Sequence, residues 1–141
     1  MRAGLAAALT ACLAFAAPAV ADTILHGTTT PEDVPIKLVV GEFGNATSFQ
    51  VGSFDVECRH GTLSTGKITF APFDISDPGS FHDKSKDRSR HGALRFKSKS
   101  TVQGSQADDG SWSGELTRRT KVFKHREKID TCGLATTWTA T

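Results

Sequence analysis

Ala93-Leu94-Arg95-Phe96-Lys97-Ser98-Lys99-Ser100-Thr101-Val102 alternates without interruption. Leu94, Phe96, Ser98, Ser100 and Val102 fall on one side; Arg95, Lys97, Lys99 and Thr101 fall on the other. A period of two puts successive side chains on opposite faces of a strand. A face this charged stays in water, so the stretch predicts an antiparallel strand with one wet side. The pattern continues toward the C-terminus. Gln103 to Gly110 reads as a turn, and Trp112, Gly114 and Leu116 resume the alternation. That segment runs into Arg118-Arg119-Thr120-Lys121-Val122-Phe123-Lys124. A final strand sets Cys132, Leu134, Thr136, Trp138 and Ala140 on one face.

Toward the N-terminus the signals are shorter. Ile36-Lys37-Leu38-Val39-Val40 is the first clear strand, rich in β-branched residues and too short for a helix. Gly41, Gly44 and Asn45 punctuate the segment after it. From Thr47 to Arg59 the apolar phase switches from Phe49 and Val51 to Phe54, Val56 and Cys58. A strand changes face only by inserting a residue, so Gly52-Ser53 is read as a bulge or sharp bend. Lys67-Ile68-Thr69-Phe70 is a strand broken at Pro72, and Ile75-Ser76-Asp77-Pro78-Gly79-Ser80-Phe81 is a tight turn between apolar anchors. His82 to His91, almost all charge and Ser, is read as a mobile loop or hairpin tip. No helical periodicity is sustained after Ala21, and strand signals recur roughly every 10 to 15 residues. The expectation is all-β: an antiparallel β-sandwich or barrel of about eight strands.

The first 21 residues read differently. Met1-Arg2, an apolar run through Ala17, and Pro18-Ala19-Val20-Ala21 form a secretory signal peptide with a small-residue cleavage site. The predicted organisation is a signal helix over 1–21 and one all-β domain over 22–141. Such a leader implies an exported protein, periplasmic or extracellular. Leu9-Thr10-Ala11-Cys12 resembles a lipobox and opens the alternative of a membrane-anchored lipoprotein through Cys12, but the apolar run continues past it. Removing residues 1–21 leaves Cys58 and Cys132, an even count that predicts a disulfide in an oxidising compartment.

The series Cys58, Ile75-x-x-x-Gly79-Ser80-Phe81, Gly92, Val102-x-Gly104, Cys132 and Trp138-Thr139-Ala140 resembles a group of small exported bacterial β-domains. These carry I…GxF, G…G and a closing C-x-G…W-x-A pattern. Gly133 follows Cys132 directly, which departs from that pattern. The resemblance implies an exported β-domain and no activity. An immunoglobulin reading fails because Asp130 stands two residues before Cys132 where a tyrosine is expected, and the chain contains no Tyr.

Catalytic signals are poor. There is no G-x-S-x-G elbow, and Gly110-Ser111-Trp112-Ser113-Gly114 reads as a strand start. His26, His60, His82, His91 and His125 form no H-x-H or H-x-x-x-H pair, although His82, Asp83 and His91 could meet across a hairpin. Asp55 and Glu57 share an outward face, and Asp108-Asp109 belong to a turn. Asn45-Ala46-Thr47 matches a glycosylation sequon and is treated as chance. A small secreted hydrolase or metal-dependent enzyme remains the alternative class; no cofactor is expected.

Charge is the better lead. Lys84 to Lys128 holds thirteen Lys and Arg against five Asp and Glu, a balance of +8, whereas Asp22 to Asp83 holds three against nine, −6. Arg95, Lys97 and Lys99 beside Arg118, Arg119 and Lys121 predict a basic sheet face for an anionic partner: polysaccharide, lipid headgroups or another envelope component. The competing reading is a merely solvated face whose charges prevent edge pairing. With Phe96 facing the core, no aromatic is expected among these cations, and nothing suggests nucleic-acid stacking. The expectation is a non-enzymatic binding or envelope-associated module.

Overall fold

The computed structural model describes residues 21–41, 47–76 and 79–141. The signal segment up to Val20, Cys12 with it, lies outside the described residues, as do Gly44, Asn45, Ala46, Asp77 and Pro78. Among the described residues there are ten strands and no helix: β1 (Thr23–Thr30), β2 (Pro35–Val40), β3 (Thr47–Val51), β4 (Asp55–Cys58), β5 (Gly61–Ser64), β6 (Ile68–Phe73), β7 (Ser80–His91), β8 (Leu94–Gln106), β9 (Trp112–Lys124) and β10 (Glu127–Ala140). Every pairing is antiparallel. Eight strands follow one path, β6-β3-β2-β1-β10-β9-β8-β7, with β4 and β5 as a side branch.

The sheet forks at β10. One edge of β10 pairs with β9 from Glu127 to Ala140. Its other edge is shared: Cys132 and Gly133 meet Cys58 and Glu57 of β4, whereas Thr137 to Ala140 meet Thr30 to Gly27 of β1. The β1 branch curls until β6 faces β7, where the Phe73 and Phe81 rings lie 4.7 Å apart, giving a nearly closed barrel. Trp138, Phe49, Phe70, Phe81 and Trp112 fill it, with Trp138 packed 4.9 Å from Phe49. Gly104 permits that packing, since a Cβ there would stand 2.5 Å from the indole of Trp138.

The β4–β5 hairpin pairs with β10 and faces the inner side of the far ends of β7 to β9 across a hollow lined by Leu63, Thr65, Phe96, Ser98, Arg118 and Thr120. It is tied down by the disulfide between Cys58 and Cys132, directly opposite residues 74 apart in sequence. Beside it, the Asp130 carboxylate accepts from the backbone N–H groups of Arg59, His60 and Thr131. Partial burial pushes the Asp130 carboxyl up, but these hydrogen bonds outweigh it and hold the group below the ordinary carboxylate range.

Four sequence expectations change. Gln103 to Gln106 does not belong to the turn but is the end of β8, paired with β7 and β9. His82 to His91 is not a loop but most of β7, paired along its whole length with β8. Its charges suit an edge strand, which they protect from pairing with another chain. Pro72 does not end β6, because that strand pairs only with β3 and its outer side needs no donor. Ile36 to Val40 is not the first strand: Thr23 to Thr30 precede it as β1, paired on both edges. The face switch at Gly52-Ser53 is a bend: β3 ends at Val51 and the chain leaves the barrel to start β4 on the other branch.

Candidate anion-binding face

Period-two alternation sorts the far ends of β7, β8 and β9 by charge. On β7, Phe81, Asp83, Ser85, Asp87 and Ser89 have inward parity, while Lys84, Lys86, Arg88 and Arg90 are exposed on the outer side. The β7–β8 register then aligns Lys86 with Lys99, Arg88 with Lys97, and Arg90 with Arg95. The β8–β9 register adds Arg119 opposite Lys99 and Lys121 opposite Lys97. Two rows of cations result, Lys86-Lys99-Arg119 and Arg88-Lys97-Lys121. Neighbours stand about 4.8 Å apart across strands and about 6.6 Å apart along them.

β10 completes the surface with small residues. Thr131 follows Lys121 in its row, Gly133 follows Arg119, and Ala135 follows Thr117. Together with Thr101 and Thr117 they floor an open hollow of about 970 Å³ walled by the six cations. Across Gly133, on the next strand, lies the exposed carboxylate of Glu57, which points to the same side because directly paired residues share a face. Among the described residues the ion pairs are Arg118 with Asp87 and His60 with Asp130, so none of the six cations is neutralised by one.

Of the sequence candidates, Arg95, Lys97, Lys99, Arg119 and Lys121 do share the outer face. Arg118 does not. Its parity matches Leu116 and Thr120, its side chain is 9% exposed, and it binds Asp87 at 2.9 Å and the Ser100 hydroxyl at 2.9 Å. It works on the inner side, where Ser98 and Thr120 also bond to each other.

Sequence reasoning missed Lys84, Lys86, Arg88 and Arg90, although Lys84-Ser85-Lys86-Asp87-Arg88-Ser89-Arg90 carries the same alternation as the strand beside it. It also missed an aromatic. Phe123 lies on the outer face opposite Arg95, and the Lys97 ammonium sits 5.0 Å from its ring centroid, a cation–π contact.

The other candidates remain apart. His82 and His91 are nine residues apart on one strand, hence about 30 Å, and have opposite parity, so they share no site. Among the described residues no three His, Cys, Asp or Glu side chains are grouped as metal ligands. Asp109 accepts from the backbone and hydroxyl of Ser111, which holds its carboxyl below the usual range and fixes the β8–β9 turn. No protein-family model matches the chain, and comparison with curated proteins and with solved structures returns no match.

Proposed function

We propose that the protein is an exported, non-enzymatic β-domain that holds an anionic partner on the outer face of β7, β8 and β9. One observation carries this reading: the cross-strand neighbours there have the same sign. Arg90 faces Arg95, Arg88 and Lys121 flank Lys97, and Lys86 and Arg119 flank Lys99. Like charges directly opposite destabilise a sheet. A face that only needed solubility would mix signs; farther along the same strands the run of cations ends, and the neutral amide of Gln103 donates to Glu115. Concentrating cations at a cost in stability is what an anion-binding surface requires.

Export is supported by the signal pattern of residues 1–21 and by the disulfide, which is consistent with an oxidising location. The partner class is an anionic envelope component. The test is elution from a heparin column of the wild type and of Lys97→Ala/Lys99→Ala/Arg119→Ala, run beside Lys37→Ala/Lys67→Ala as a charge control. The face variant should elute at clearly lower salt than both the wild type and the control. Equal elution of all three would overturn the reading.

A further inference from the structure

Resting on that reading, we infer that the hollow over Gly133 is a binding groove for a single strand of acidic polysaccharide, with the bare backbone of Gly133 as its floor. Most glycines in the strands have a steric reason to lack a side chain. A Cβ at Gly27 would collide with the Thr139 carbonyl, one at Gly104 with Trp138, and one at Gly114 with the Gln103 carbonyl. Gly133 has none. A Cβ there meets nothing within 4 Å, its φ lies outside the left-handed region, and it sits in mid-strand, where glycine weakens the ladder. A glycine that the fold does not need, in the lining of a cation-walled hollow, is explained by close approach of a ligand.

The chemistry around that floor selects the occupant. Lys86, Lys99 and Arg119 stand on one side of Gly133 and Glu57 on the other, in one continuous row. A ligand lying there must offer negative groups toward β9 and hydrogen-bond donors toward β4. Thr101, Thr117 and Thr131 add hydroxyls that donate and accept. A uronate or sulfated sugar chain has both kinds of group on every few atoms. A nucleic-acid strand would ask for a series of aromatic platforms, and the face has the single ring of Phe123. A bilayer would lie across the rim and leave the floor empty.

The experiment is calorimetric titration, at low salt, of the disulfide-intact mature chain with a sulfated uronate oligosaccharide (a heparin hexamer). Vesicles containing phosphatidylglycerol and a single-stranded oligonucleotide are run in parallel. Gly133→Phe fills the groove without altering charge and should weaken hexamer binding about tenfold or more. Its thermal midpoint and disulfide serve as the fold control, with Gly133→Ser as the milder variant should Phe not fold. Glu57→Gln should weaken the hexamer and leave inorganic polyphosphate unchanged or tighter.

Loss of binding in Lys97→Ala/Lys99→Ala/Arg119→Ala with full retention in folded Gly133→Phe and Gly133→Ser would overturn the groove and leave the basic face standing. Retention in the triple variant would overturn both. Vesicles or oligonucleotide binding more tightly than the hexamer in a Gly133-dependent way would overturn the choice of occupant.

Discussion

The two ends of the long strands β7 to β10 are built on opposite principles. At one end Trp112, Leu116, Trp138 and Phe81 close with Phe49, Phe70 and Phe73 into an aromatic core, and the sheet returns on itself. At the other end the same strands bury Ser98, Ser100 and Thr120, lean on a four-residue hairpin strand, and expose rows of Lys and Arg. The aromatic end gains from apolar area removed from water. The cationic end gains less from burial, carries like-charge repulsion, and needs a covalent link to keep its cover in place. Stability is concentrated at one end so that the other can hold charge.

This contrast can be broken in four ways, in decreasing order of expected effect. Replacing both Cys58 and Cys132 with Ala should cost about 4.5 kcal/mol by releasing a loop of 74 residues. Hydrogen exchange should show β4 and β5 losing protection first while β1 to β3 stay protected. Trp138→Ala should cost about 3–5 kcal/mol in denaturant titration, with loss at the barrel end instead. Lys99→Gln should do the reverse and stabilise by about 0.5 kcal/mol at low salt, because it removes one charge flanked by Lys86 and Arg119. The gain should fade in molar salt.

The last concerns pH. The Asp130 carboxyl titrates lower in the folded chain than in the unfolded one. Its contribution is therefore fully present above the ordinary carboxylate range and is lost as pH falls through the folded value. Asp130→Asn should be less stable than the wild type near neutrality, and the gap should close on acidification. A gap that stays constant to low pH would show that the Arg59 and His60 amides do not depend on that charge.

Much of the fold was legible because alternation is a local signal. Leu94 to Val102 and Cys132 to Ala140 fixed their buried faces from parity alone, and the even cysteine count paired Cys58 with Cys132. The phase switch near Gly52 marked where the chain leaves the barrel for the side branch. β7 was obscured because its inner positions are Asp and Ser rather than apolar, so composition outweighed an intact period of two. That error also hid half of the basic face, since Lys86 and Arg88 become neighbours of Lys99 and Lys97 only through the β7–β8 register. Parity puts Phe123 with Lys121 and Gly133 opposite Cys132, but only the cross-strand register shows that Phe123 stands beside Arg95 and Gly133 beside Arg119. Arg118 was assigned to the wrong side because the adjacent Arg118-Arg119 was read as one basic unit, although neighbours in a strand point opposite ways.

The central claim is that one face of this sheet binds an anion. Amide chemical-shift mapping during titration with the heparin hexamer tests it most directly. The account predicts shifts confined to Glu57, Lys86, Arg88, Lys97, Lys99, Thr101, Thr117, Arg119, Lys121, Thr131 and Gly133, with the amides of β2, β3 and β6 unmoved. Shifts centred on the barrel end, or none at low salt, would contradict it.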